Sequence, residues 1–93
     1  MTEERRILIN QYFMLANSLE KVYPESSFKN HCYWRIALDN VLSAKWDTVI
    51  SRPAYASLSQ QQLEKVIQLL KFYMSDQALL TRHNLISLSY RSR

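Results

Sequence analysis

Leu8, Tyr12, Leu15, Leu19 and Val22 recur at spacings of four and three, and Ile9, Phe13, Ala16 and Tyr23 widen the same stripe. That period is the signature of an amphipathic helix, with Asn10, Asn17 and Lys21 on its wet side. Thr2 supplies a cap, and Glu3 and Glu4 place carboxylates in the first turn, where the helix dipole favours them. Pro24 denies helical geometry to the residue before it, so the pattern predicts a first helix over about 3–23.

A second helix is expected from about 27 to 50, opened by Ser26 or Ser27 and closed by Arg52-Pro53. At about 100° per residue its apolar arc runs through Trp34, Leu38, Val49, Leu42, Phe28, Trp46, Cys32 and Ile36, leaving Lys29, Tyr33, Asn40 and Asp47 as an outward strip. So wide an arc marks the central helix, touched on several sides. His31, Arg35 and Asp39, four residues apart, fall inside that arc and not opposite it.

The third helix has the best start signal. Ser59 with Gln62 forms a capping box, and Leu58 facing Leu63 a hydrophobic staple. Leu63, Val66, Ile67, Leu70, Tyr73 and Met74 give it an inner face over 60–75, with Leu69 and Phe72 on the flank. Residues 77–93 fit two patterns: Leu79, His83, Ile86 and Tyr90 suit a helix, whereas Ile86, Leu88 and Tyr90 in alternation suit a strand. The reading adopted is a short helix over about 76–87 followed by a polar, extended or disordered end.

Composition narrows the class. Ninety-three residues with no Gly, only Pro24 and Pro53, 47% apolar and 22% charged positions describe a single packed domain. Without Gly, tight turns at positive φ are scarce, which favours helices over a hairpin-rich sheet. The expected fold is all-α, a small antiparallel three- or four-helix bundle. A lone Cys32 rules out an internal disulfide and suits a reducing compartment. No basic leader, lipidation signal or run of ~18 apolar residues is visible, so the expectation is a cytoplasmic chain away from membranes.

The embedded polar residues carry the candidate chemistry. If buried, Arg35 and Asp39 must be paired, and an internal ion pair would fix helix register without chemistry. If that face is open, Arg35 can present its planar fork to an anion or a partner's carboxylate between Trp46 and Phe28. His31, Arg35, Asp39 and Trp46 are therefore the candidate anion or partner site. Catalysis is disfavoured, because His31 and Asp39 lie ~12 Å apart along the axis, and Cys32 points about 100° away from His31. His31, Cys32 and His83 lack metal-ligand spacing, and no cofactor motif is present, so neither metal nor cofactor is expected.

Two partner classes remain. Six Tyr and two Trp in so short a chain are residue types enriched at protein contacts, and Met14, Tyr33 and Phe72 are the apolar side chains expected to face out. This favours a non-enzymatic interaction module that binds a protein partner or a second copy of itself. The alternative is nucleic acid: the net charge is +4, and the excess sits at the C-terminal end, where Lys71, Arg82, His83, Arg91 and Arg93 are candidate phosphate contacts.

Overall fold

A computed structural model describes residues 2–92, all of whose regular structure is helical. The helices are α1 (Glu3–Val22), α2 (Asn30–Leu42), α3 (Ala54–Ser57, a single turn), α4 (Gln60–Ser75) and α5 (Gln77–Ser89), with a 3-10 turn at Trp46–Thr48 between α2 and α3. The Arg52-Pro53 bond is cis. No described helix is long and apolar enough to cross a membrane.

Helices α1 and α4 start and end as their sequences indicate. Thr2 accepts from the Arg5 amide at α1's start, and Ser59 and Gln62 close both halves of the capping box at α4's start. Glu4 meets Gln60 at the beginnings of α1 and α4, and the Tyr23 hydroxyl donates to the Tyr73 carbonyl at their ends, so the two run in the same direction. The Asn30 amide donates to Glu20 while the Trp34 indole donates to the Tyr12 carbonyl, which sets α2 antiparallel to α1. α5 doubles back from α4 at Asp76 and lies along α2. The result is an up-down-up-down bundle in which α2 packs on α1, α4 and α5. Leu19, Ile36, Leu38, Leu63, Val66 and Leu70 fill its centre.

α2 is shorter than the sequence pattern predicts. It ends at Leu42 instead of reaching Ile50, because Ser43 turns left-handed (φ 55°) without a glycine to announce it. The Asp39 carbonyl accepts from both the Ser43 and Ala44 amides, and the Asp39 carboxylate accepts from the Trp46 amide at 2.9 Å. One residue thereby ends the helix and folds the following chain back across it.

The C-terminal segment also departs from expectation. It is helical to Ser89 and continues in a helical turn through Arg91, with no extended portion among the described residues. Asp76 caps α5 by accepting from the Leu79 amide, and contacts one turn apart from Ser87 and Arg91 tie its far end to α2. Those long-range bonds override the alternating pattern of Ile86, Leu88 and Tyr90.

A left-handed serine is strained by its Cβ, so Ser43→Gly is expected to stabilise the domain by about 0.5–1 kcal/mol. Thermal unfolding followed by circular dichroism checks this; a lowered midpoint would mean that the turn does not govern stability.

Candidate functional site

The helix that carries the embedded polar residues is open on the side expected to be deepest. Tyr33, assigned to the outward strip and to a protein contact, is instead fully buried (0% exposed), and its ring meets Phe28 edge-on. Asn40 from the same strip bonds the Ile36 carbonyl and, at 3.0 Å, the His83 carbonyl of α5. Because α1, α4 and α5 crowd that side, the free side of α2 is the one that carries His31, Trp34 and Arg35.

There lies a cleft of about 320 Å³. Tyr12 and Phe13 come to it from α1, and His31, Trp34, Arg35 and Leu38 from α2. Trp46, Arg52 and Pro53 come from the link, and Ala54 and Tyr55 from α3. Tyr12 and Trp34 stack in parallel at 4.9 Å, and Phe13 stands edge-on to Trp34 at 5.4 Å and to Tyr55 at 5.0 Å. Burial and the neighbouring Tyr55 push the Tyr12 phenol above its ordinary pKa. The Arg5 guanidinium donates to the Tyr55 and Leu58 carbonyls, pinning the α3 turn, and with it Tyr55, against α1.

The polar residues divide between the cleft and the layer behind it. Asp39 is not at the cleft; it is fully buried between α2 and α5. Its Oδ2 accepts from the Ser87 hydroxyl at 2.6 Å and Arg91 Nε at 2.8 Å, and its Oδ1 from Arg91 Nη2 at 3.1 Å and the Trp46 amide. The Arg35/Asp39 ion pair read from sequence does not form. Arg35 bonds the neutral Ser87 hydroxyl at 2.7 Å and the Asn84 side chain at 3.0 Å. No carboxylate among the described residues lies within salt-bridge distance of it. Phe28 is not at the cleft either; it lines a separate cavity with Tyr23, Leu80 and Asn84.

Arg52 is the second cation at the cleft. Its guanidinium lies over the Trp46 ring at 4.8 Å and donates to Asp47 at 2.8 Å. His31 is exposed at the rim. His31, Arg35 and Trp46 are the cleft residues that stand out in the sequence, whereas Tyr12, Phe13, Tyr55 and Arg52 do not. Arg52 and Tyr55 flank Pro53 in the segment between the predicted second and third helices, which local periodicity leaves unassigned.

Of the other candidates, Met14 and Phe72 are exposed, at 57% and 49%. Among the candidate phosphate contacts, Lys71 and Arg82 are exposed, but Arg91 is committed to Asp39 and its side chain is only 25% exposed. His83 bonds the Tyr73 hydroxyl through Nδ1 at 2.7 Å, and burial, reinforced by the Arg82 charge, lowers its pKa and holds the ring neutral at pH 7. Arg93 lies outside the described residues. No group of three or more His, Cys, Asp and Glu side chains suited to a metal occurs among the described residues.

The bonding makes distinct demands on stability. Removing one member of a buried ion pair strands the other, so Asp39→Asn is expected to cost roughly 3 kcal/mol. Arg35→Ala, which frees only neutral partners, is expected to cost about 1 kcal/mol. Denaturant unfolding distinguishes them, and equal losses would mean that Asp39 and Arg35 act as one pair. His83 binds its proton less readily folded than unfolded, so stability should fall as pH drops below about 6.5, the unfolded value. In His83→Gln this component of the acid sensitivity, read from unfolding curves at pH 7 and pH 5, should disappear.

The chain matches no family model, no curated protein and no solved structure.

Proposed function

We propose that this chain is a small non-enzymatic interaction module that takes a segment of a partner protein into the cleft between α1, α2 and α3. The observation that supports the reading is the cleft's composition. Five aromatic rings and two arginines border one concavity, and these residue types dominate the energetics of protein contacts. The rings hold one another in place: Tyr12 against Trp34, Phe13 against both Trp34 and Tyr55. A wall fixed in this way loses little conformational entropy on binding.

Chemistry on a substrate is a poorer fit. The one carboxylate in the polar set, Asp39, is sealed behind the cleft with its oxygens occupied, and His31 has no acidic partner within salt-bridge distance among the described residues. A second copy of the chain is the other partner in this class. Cys32, unpaired and half-buried, supports assigning the module to a reducing, cytoplasmic setting.

Peptides selected from a random displayed library are expected to lose at least about tenfold in affinity towards Phe13→Ala. Phe13 is exposed enough for its truncation to leave the bundle folded, which circular dichroism verifies. Selected peptides that bind the variant undiminished, or a library that yields no binders, would reject the cleft as a protein-binding site.

A further inference from the structure

Arg35 is a half-buried cation with no carboxylate within salt-bridge distance among the described residues; Asp39 reaches it only through the shared Ser87 hydroxyl. Its four-residue spacing to Asp39 invites an ion pair, yet Asp39 is taken by a bidentate Arg91, and Arg35 keeps only the neutral oxygens of Ser87 and Asn84. The cleft that it borders is basic: Arg35, Arg52 and His31 line it, and no acidic residue does among the described residues. Arg52 gives one Nη to Asp47, leaving the rest of its donor fork without a protein partner among the described residues. Arg35 is half-buried among neutral partners, and the donor geometry of a guanidinium matches a carboxylate.

We infer that the cleft's occupant is an acidic segment of a partner protein, with carboxylates meeting Arg35 and Arg52 on either side of one bulky apolar side chain. This rests on the module reading above and names the chemistry of what that module binds. The aromatic arrangement argues for a side chain over a nucleobase. Tyr12 and Trp34 already spend one face each on their mutual stacking, and Arg52 covers a face of Trp46. Base stacking needs open ring faces, whereas ring edges together with Leu38, Pro53 and Ala54 make a lining suited to a branched or aromatic side chain.

The test uses two short acetylated peptides, one with a central Phe flanked by Asp and Glu, the other with each acid replaced by its amide. The fluorescence of Trp34 and Trp46, the only indoles in the chain, reports binding. The acidic peptide should bind at least about tenfold more tightly, with a preference that shrinks in high salt. The preference should also fall severalfold in Arg52→Gln, whose side chain is exposed and outside the core, and in Arg35→Gln, provided that circular dichroism finds it folded.

Equal binding of both peptides, unaffected by the arginine variants, would overturn the acidic requirement and leave the module reading intact. A response to neither peptide would overturn both. An inorganic phosphate or single-stranded oligonucleotide response stronger than that of the acidic peptide would also overturn the inference.

Discussion

The buried carboxylate of Asp39 is the constraint on which the rest of the structure depends. Fully enclosed, it must be compensated, and it is, by four donors: both arms of Arg91, the Ser87 hydroxyl and the Trp46 amide. The donors come from two pieces of architecture. Arg91 and Ser87 bring the last turns of α5 onto α2, and the Trp46 amide brings the link back over α2 after the helix has ended. The backbone of the same residue accepts the two amides that close α2. A bidentate charge-assisted pair holds these elements together at the end of α5, where Leu85, Ile86 and Leu88 are exposed and contribute little apolar burial.

Much of the fold is written locally. The α1 stripe, the Pro24 stop and the Ser59/Gln62 box are patterns of three or four residues, and the helices they predict are the helices observed. What escaped local reading is what depends on distant partners. Ser43 adopts a conformation usually marked by glycine, so the end of α2 was hidden and angular positions beyond Leu42 lost their meaning. Asp39 has a plausible partner one turn away in Arg35 and its actual one 52 residues on in Arg91. Tyr33 looked exposed because its strip carries Lys29 and Asn40, yet α5 bonds Asn40 and the bundle closes over the tyrosine.

The same partial legibility applies to the cleft. His31, Arg35 and Trp46 were visible as polar and aromatic anomalies within one helix. The opposite wall was not, since Phe13 falls in the apolar stripe of the first helix and Tyr55 lies in a segment without periodicity. Whether a ring at a core-like position is covered depends on how many helix layers the chain can afford. With Cα extents of 36 × 31 × 17 Å, the domain is about two helix layers thick, and every helix keeps one face without a neighbour. On α2 that face is the one bearing Trp34 and Arg35. Its partial cover comes from the 43–58 link, a thin layer that leaves a hollow where a further helix would have sealed it.

The network that fixes the fold also sets the orientation of the cleft, and this ties the two together energetically. Ser87 donates to Asp39 and accepts from Arg35, so the buried ion pair and the Arg35 guanidinium share one hydroxyl. Trp46 sits at the cleft because its amide is held from behind by Asp39, while its ring carries Arg52 on the open side. Arg35 and Arg52 are thereby held in place, the first by α5 and the second by Trp46 and Asp47. Preorganisation of this kind lowers the ordering cost of binding.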